Sequence, residues 1–365
     1  MNRAFVLVTL LTGTSLLAQI QPAPPPPSTQ QRPPQGAPPE LKNVQVLKGM
    51  SPAELIRAMQ FMSVSLGANC HLCHVFNTAG VGDFASDDKD EKKTAREMIK
   101  LVIDTNTKYF NGNTVVSCNT CHRGSTEPVN VPVLPISAPQ AKPEEPATAE
   151  KVVLPTRDDI VSRYAKALGS IDQKAISSIE LKGTRDMARG SAPIDVIIAG
   201  GRTRIVTTAP EGEMINVVTP DGGWSRDPRG THAMPPMQLE GMRAILDALR
   251  LPMPSEIPAE VRVSKDRVGD RDVWVLTYPY GANGRQRLSF DAGTGLLLRR
   301  SSVTPTPVGR IPQQTDFDDY RDVGGFKLPF TVGFDSVDRG ASRVVHYTEI
   351  RPNAKIDEKV FVQPQ

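Results

Sequence analysis

The chain carries the pentapeptides Cys70-His71-Leu72-Cys73-His74 and Cys118-Asn119-Thr120-Cys121-His122. Both read C-x-x-C-H, which is the attachment signature of a c-type haem. Each cysteine can add its thiol across a haem vinyl group, and the histidine that follows can bind the iron as the proximal ligand. The chain has 4 cysteines, and the two motifs use all of them. The sequence therefore predicts two covalently bound haem c groups, with His74 and His122 as iron ligands.

Other uses of paired cysteines explain less of this pattern. A four-cysteine zinc ribbon contains two C-x-x-C knuckles, but it does not require a histidine after each of them. Two disulfides would suit an exported chain and would leave both histidines unexplained. A thioredoxin-like motif needs one C-x-x-C between a strand and a helix. Haem attachment accounts for the cysteines and the histidines together.

The first residues have the composition of an export signal. Met1-Asn2-Arg3 is a short positive lead, residues 4–17 are apolar or small, and Ala18 offers a cleavage point. The apolar run is too short and too often interrupted by polar residues for a membrane span. We therefore expect residues 1–18 to be a signal peptide and the mature protein to be periplasmic, where covalent haem attachment takes place.

Proline-rich stretches divide the rest of the chain. Residues 19–40 are predicted to be a tether and residues 127–155 a second linker, because neither has the apolar content of a core. Between them, residues 41–126 are expected to form a helical dihaem domain, followed by a β domain at 156–365. Lys+Arg 43 nearly balances Asp+Glu 40, which does not favour nucleic acid as a partner. The expected partners are a redox donor and a redox acceptor, with peripheral membrane association left open.

An amphipathic helix is predicted before each motif. Ser51-Pro52-Ala53-Glu54 is a capping box with proline at the first helical position. Its helix would end at Gly67 and carry the apolar stripe Leu55, Met59, Met62 and Leu66. The second helix would follow a run of acidic residues that its dipole favours. Its predicted stripe is Ala95, Met98, Val102, Thr105 and Tyr109.

The distal iron ligands are expected to be methionines. Outside the two motif positions His74 and His122, the chain has only His71, His232 and His346. A thioether is therefore favoured, and His/Met ligation raises the reduction potential of a haem. Met59 and Met98 lie on the apolar faces of the two predicted helices. Met62 remains an alternative for the first haem, and simple core packing remains an alternative for all three.

Residues 41 to about 126 resemble the cytochrome c subunit of photosynthetic reaction centres. The matching stretches are residues 59–67, 70–74, 93–98 and 118–124. In that family the helix before each motif supplies the distal methionine, which implies Met59 for the first haem and Met98 for the second. The resemblance implies an electron-carrying module. The photosynthetic members of that family carry four haems, whereas this chain has motifs for two.

The C-terminal half alternates like an antiparallel sheet. A helix is predicted at 158–168 and another at about 239–249, with turns at 291–295 and 322–325. Strands are predicted at 179–182, 195–198, 204–206, 272–276 and 287–290. We expect a curved antiparallel sheet with helices on its concave side. The whole chain would then be an α+β protein of two domains.

The turn motifs of this half resemble those of LolA-like lipoprotein-sorting half-barrels. The matching stretches are residues 221–224, 288–296 and 319–329. The resemblance implies an antiparallel half-barrel with covering helices. Four methionines near the second helix are predicted to pack in the core or under a lid, and lining an apolar ligand cavity is the alternative: Met234, Met237, Met242 and Met253.

Together these features predict a periplasmic dihaem c-type cytochrome that carries electrons between redox partners. Its C-terminal half would serve as a docking or apolar-ligand-binding domain. One alternative is a peroxidase-like dihaem oxidoreductase, which requires an iron with an open or displaceable distal position. Another is a lipid or apolar-ligand-binding protein with an appended redox module. The sequence shows no Ser/His/Asp or paired-carboxylate arrangement, so electron transfer is favoured over enzyme catalysis.

Overall fold

The fold combines a helical N-terminal segment, residues 41–130, with one large antiparallel sheet. A computed structural model describes residues 41–130, 153–169, 176–187, 190–210, 212–228, 230–281, 284–337 and 343–364. The predicted signal peptide and tether lie outside these residues, as does most of the predicted linker. All described residues lie in one compact unit, Gly36–Gln365. The domain boundaries at 126 and 156 remain a prediction.

The helices and strands follow in chain order. The helices are α1 (Pro52–Ser65), α2 (Asp90–Phe110), α3 (Cys118–His122), α4 (Arg157–Leu168) and α5 (Pro236–Leu249). The first strands are β1 (Val75–Phe76), β2 (Gly82–Asp83), β3 (Ser178–Asp186), β4 (Ser191–Ala199), β5 (Arg202–Ala209), β6 (Gly212–Thr219), β7 (Gly222–Asp227) and β8 (Gly230–Ala233). The later strands are β9 (Arg262–Val268), β10 (Arg271–Tyr280), β11 (Gly284–Asp291), β12 (Leu297–Thr306), β13 (Gly309–Asp322), β14 (Lys327–Ser336) and β15 (Arg343–Pro352).

Helix α1 begins and ends where the sequence predicts. The Ser51 hydroxyl accepts the Glu54 N–H at 3.3 Å, and the Glu54 carboxylate accepts the Ser51 N–H at 2.8 Å. These two bonds satisfy donors that the first turn of a helix leaves unpaired. They also hold the pKa of Glu54 below its usual value. After the cap residue Leu66, Gly67 takes the left-handed conformation with φ 61° and stops the helix.

The sheet of the described residues has 13 strands, and every neighbouring pair is antiparallel. Strands β3 to β8 form one meander and β9 to β15 another. The last strand, β15, pairs with both β3 and β14 and so joins the two meanders. The ends of the sheet are β8 and β9, which are consecutive in sequence but not paired. The predicted fold class, α+β with a large antiparallel sheet and covering helices, is confirmed.

Helix α4 packs its apolar side on the inner face of the sheet. Tyr164 is fully buried, and its ring centroid lies 5.0 Å from that of Phe290 on β11. The Tyr164 hydroxyl donates to the Pro252 carbonyl at 3.1 Å, so the buried phenol is not left unpaired. Burying a side chain of this size contributes roughly 1.5–3 kcal/mol. The predicted stop at Gly169 agrees with the observed end of α4.

Helix α5 is held at its C-terminal end by the sheet. The Arg300 guanidinium on β12 donates to the Asp247 carbonyl and carboxylate, both at 2.7 Å. The Thr315 hydroxyl donates to the Ala248 carbonyl at 2.8 Å. These bonds satisfy carbonyls that have no partner within the last turn of a helix. The positive charge of Arg300 also lowers the pKa of Asp247, against the opposing effect of burial.

The turn between β12 and β13 is inserted into the N-terminal segment. Val308 in this turn is fully buried, and Ile311 at the start of β13 is nearly so. Both belong to one apolar cluster with Leu47, which precedes α1, and with residues of α1 and α2: Leu55, Ala58, Phe61, Met62 and Ile99. The Thr114 hydroxyl, on the loop after α2, donates to the Thr306 carbonyl at 3.1 Å. The sheet therefore supplies part of the core on which the helices of the N-terminal segment rest.

Gly309 makes this insertion sterically possible. A Cβ atom on Gly309 would overlap the ring of Phe61. We predict that Gly309→Ala lowers the free energy of unfolding by about 1–3 kcal/mol, because the Phe61 ring must move within a packed cluster. Urea unfolding of the full chain measures this change.

Gly222 provides the matched control for that substitution. It also begins a strand, and a Cβ added there meets nothing within 4 Å. Gly222→Ala should leave the free energy of unfolding nearly unchanged. An equal loss in both variants would contradict the steric role of Gly309.

Candidate haem-binding site

The second motif lies on a short capped helix, on which Cys121 is exposed and Cys118 is partly buried. Ser117 caps α3: its N–H donates to the Thr120 hydroxyl at 3.0 Å. Arg123 then takes the left-handed conformation with φ 50° and reverses the chain. This reversal brings the Ser125 carbonyl to 3.0 Å from His122 Nδ1. A carbonyl can only accept, so His122 donates through Nδ1 and keeps Nε2 free for a metal.

The first motif lies on a single turn of 3-10 helix, Cys70–Leu72. The Asn69 side chain caps it by accepting the His71 N–H at 3.0 Å. The ring of His74 is half-buried, and its Nδ1 has no hydrogen-bond partner among the described residues. Burial, and then the positive charge of Lys92, lowers the pKa of His74. A lower pKa favours the neutral imidazole, which is the form that binds a metal.

Aromatic rings form a wall beside the first motif. The ring of Phe84 lies edge-on to His74 with 5.0 Å between centroids, and 5.7 Å from the ring of Phe76. His71 stacks on Phe76 at 3.9 Å. Phe84 is nevertheless solvent-exposed. The exposed part of the Phe84 ring is available to pack against an apolar group beside the motif.

A buried lysine fixes the position of this wall. Lys92, in the first turn of α2, donates to the Phe84 carbonyl at 2.9 Å and to the Ser86 carbonyl at 2.6 Å. Its ammonium also lies 3.2 Å from the carboxylate of Asp87. Hydrogen bonds from Arg96 at 2.7 Å and Asn43 at 2.9 Å hold the pKa of Asp87 well below its usual range. Sequence analysis missed this network because a lysine in a helical first turn gives no sign of being buried.

The end of α1 touches the chain immediately after the second motif. The Gly124 N–H donates to the Ser65 carbonyl at 2.8 Å. A Cβ atom on Gly67 would overlap the Gly124 carbonyl. Cys118 lies against the same apolar cluster that holds α1 and α2 together. The two motif regions are therefore parts of one packed structure.

The proposed distal ligands occupy different environments. Met59 is half-buried and borders the apolar cluster, as Cys118 does. Met62 is buried inside that cluster. Met98 is 44 % exposed, although Ile99 next to it is buried. Its environment leaves the thioether accessible from outside the protein.

The apolar stripe predicted for α2 differs from the observed one. Of its predicted members only Val102 is fully buried, whereas Met98 and Tyr109 are exposed. The buried residues of α2 are Lys92, Ile99, Val102 and Asn106. The buried face is thus rotated from the predicted one, because Lys92 and Asn106 make buried hydrogen bonds that hydropathy does not reveal. Met98, Leu101 and Tyr109 form an exposed apolar set instead.

The residues present fit a covalently attached haem. The four cysteines are free thiols, paired three positions apart within a single turn. Within the described ranges, no three His, Cys, Asp or Glu side chains converge as a metal cluster, so the cysteines are not gathered as in a zinc ribbon. Each motif offers a histidine with a ring nitrogen unused by the protein, and exposed apolar side chains lie nearby. Burial raises the pKa of the Cys73 and Cys118 thiols.

The part of the chain that contains both motifs is similar to known cytochromes. Residues 10–156 match the family model of the photosynthetic reaction centre cytochrome C subunit. The resemblance predicted for residues 41 to about 126 is confirmed. Cytochrome c-554 of Chloroflexus aurantiacus is 36% identical over 144 residues, which are 32% of this chain and 33% of that protein. The photosynthetic reaction center cytochrome c subunit of Thermochromatium tepidum is 41% identical over 91 residues, 24% of this chain and 21% of that protein. The chain thus spans a third or less of the length of these curated relatives.

Solved structures similar to the chain cover a different part of it. A LolA superfamily protein from Nitrosomonas europaea is 11% identical, with a TM-score of 0.37, and covers 57% of this chain and 98% of its own. A lipoprotein-sorting protein domain from Vibrio parahaemolyticus is 13% identical, with a TM-score of 0.33, and covers 56% of this chain and 97% of its own. Among the described residues, no helix has the length and apolar character needed to cross a membrane.

Substitution of Gly67 tests the contact between α1 and the second motif. We predict that Gly67→Ala lowers the free energy of unfolding by about 1–3 kcal/mol more than Gly112→Ala does, because only the former overlaps another backbone. Both glycines follow a helix with positive φ, 61° and 77°. Gly112 therefore controls for left-handed strain, which costs about 1–2 kcal/mol. Equal destabilisation of the two variants would contradict the close contact of Gly67 with Gly124.

Proposed function

We propose that the chain is a periplasmic dihaem c-type cytochrome that carries electrons between two redox partners. The observation that carries this proposal is the pair of C-x-x-C-H motifs, each on its own capped turn with a histidine nitrogen left free. Haem c, when bound, supplies a reversible one-electron change at iron. The chain provides attachment, orientation and shielding. The match of residues 10–156 to a cytochrome family supports this assignment.

Each motif would hold one haem through four side chains. Cys70 and Cys73 would bond covalently to the first haem, with His74 as the proximal ligand and Met59 as the distal ligand. The second haem would have Cys118, Cys121, His122 and Met98. The Ser125 carbonyl would keep the His122 ring in one tautomer and one orientation through the Nδ1 hydrogen bond. The Phe84 wall would exclude water from one side of the first haem.

The larger β region is proposed to serve the redox segment in docking, or to bind an apolar ligand. The insertion of Val308 and Ile311 into the core of the N-terminal segment supports a fixed attachment between these regions. The donor and the acceptor are expected to be redox proteins. The signal-like sequence of residues 1–18 supports export to the periplasm.

The number of haems can be counted by removing one motif at a time. We predict that the wild type carries two covalent haems, and that the double variants Cys70→Ala/Cys73→Ala and Cys118→Ala/Cys121→Ala carry one each. Mass spectrometry of the denatured chain measures this number, since thioether bonds survive unfolding. The two double variants control for each other. One haem or none on the wild type would contradict the proposal.

The distal ligands can be tested with three methionine variants. We predict that Met59→Ala and Met98→Ala each lower the reduction potential of one haem, or convert it to a high-spin form, because His/Met ligation raises the potential. Redox titration followed by absorption spectroscopy measures both effects.

Met62→Ala is the matched control, since Met62 is buried one turn along the same helix. It should cost about 2–5 kcal/mol of folding stability and leave both haem spectra unchanged. A spectral change in Met62→Ala with none in Met59→Ala would identify Met62, and not Met59, as the distal ligand of the first haem. A high-spin haem in the wild type would instead favour the peroxidase-like oxidoreductase.

A further inference from the structure

A large groove lies between the N-terminal segment and the outer face of the sheet. Its volume is about 1170 Å³, and its walls are the end of α2, the loop after α2 and strands β9 to β13. Four arginines line it: Arg262, Arg285, Arg287 and Arg310. We call this site the arginine groove. No lysine, aspartate or glutamate is among the described residues that line it.

Strand register places these arginines on one face of the sheet. Arg262 on β9 lies opposite Thr277 on β10, and Thr277 lies opposite Arg287 on β11. Residues directly opposite each other share a face, so Arg262 and Arg287 belong to one row. Strands are about 4.8 Å apart, which puts the two Cα atoms roughly 10 Å from each other. Guanidinium groups on side chains of this length can reach the same ligand.

The other two arginines extend the same surface. Arg285 lies two residues from Arg287 on β11, roughly 7 Å along the strand and on the same face. It pairs with Val303 on β12, and two residues further along β12 Pro305 pairs with Arg310 on β13. The inner face of β11 instead carries the buried residues Gln286 and Leu288. The alternation along β11 therefore turns the arginines away from the apolar core.

Most of this positive charge is not neutralised within the chain. The Arg287 guanidinium lies 2.7 Å from the Asp266 carboxylate. Across the part of the chain that the structure describes, Arg262, Arg285 and Arg310 have no carboxylate partner. Like charges gathered on neighbouring strands destabilise a sheet unless something compensates them. A planar guanidinium is suited to bind the paired oxygens of a phosphate or carboxylate.

The groove also presents hydroxyl groups, and it lies on a different side of α2 from Met98. Hydroxyl groups of Ser264, Thr277 and Ser301 line it between the arginines. Helix α2 contributes Ile103 and Thr107. At 3.6 residues per turn, Ile103 and the proposed ligand Met98 lie about 140° apart around α2. The arginine groove is thus a different surface from the one that Met98 presents.

We propose that the arginine groove binds a small oxyanion ligand that carries two or more phosphate or carboxylate groups. Three uncompensated guanidinium groups supply the charge, and the hydroxyl groups between them supply further donors. The volume is large enough for a molecule of metabolite size, since ligand pockets commonly measure about 300–1,000 Å³. The position between α2 and the sheet would let such a ligand contact both parts of the protein.

Calorimetric titration of the full haem-loaded chain tests this proposal, with inorganic pyrophosphate and citrate as probes at fixed ionic strength. We expect saturable binding of at least one probe. Arg262→Gln/Arg285→Gln should weaken that binding by about tenfold or more, because each substitution removes a charged hydrogen-bond donor to the oxyanion. Preference for pyrophosphate would identify a phosphate ligand, and preference for citrate a carboxylate ligand.

Arg267→Gln is the matched control, because Arg267 is exposed on the same strand as Arg262 and does not line the groove. It should bind the probe as the wild type does. Arg310→Gln, on a separate strand, provides a second test should the double variant fail to fold. The proposal would be overturned if neither probe bound saturably. It would also be overturned if Arg267→Gln weakened binding as much as the double variant does. Neither result bears on haem attachment, which is counted separately by mass.

Discussion

The insertion of the β12–β13 turn into the N-terminal segment is the contact on which the arrangement of both motifs depends. Val308 and Ile311 complete an apolar cluster that otherwise consists of residues from α1, α2 and the chain before α1. The cluster holds α1 in place, and the end of α1 meets the chain just after the second motif through Ser65 and Gly124. The position of one haem motif is thus coupled to a hairpin nearly two hundred residues away in sequence. Packing, and not a local turn preference, holds this region in place.

Around that core, polar contacts position the histidines of the two motifs. The first motif depends on Lys92, which fixes the loop that carries Phe84 to the start of α2. The second depends on a left-handed residue, Arg123, which turns the chain so that a carbonyl faces His122. In both motifs one histidine nitrogen has no partner within the described part of the chain. In His74 it is Nδ1, which makes no hydrogen bond among the described residues. In His122 it is Nε2, because Nδ1 donates to the Ser125 carbonyl. An imidazole that is already oriented needs less reorganisation to bind iron.

Much of the local structure followed from sequence pattern. The ends of α1 and α4, the five predicted strands between 179 and 290 and the turns near 291 and 322 agree with prediction, because caps, glycines and alternation act over a few residues. Strands β6 to β9 and β12 to β15 were not predicted. Helix α5 begins a few residues earlier than predicted, at Pro236. The buried face of α2 was predicted wrongly, since Lys92 and Asn106 are buried through hydrogen bonds and not through hydrophobicity. The arginine groove could not be predicted, because its four arginines come from three strands and converge only through register.

The sequence by itself determined the chemistry of this protein. Local sequence is enough to recognise the two C-x-x-C-H motifs, the methionine-bearing helices before them and the export-like N-terminus. Haem attachment and helix capping depend on residues that are close in the chain. The tertiary structure decided what surrounds that chemistry. It placed Met62 in the core and left Met98 exposed, joined the helices to a distant hairpin, and gathered arginines that lie far apart in sequence. These outcomes depend on long-range packing and strand register, which no local pattern specifies.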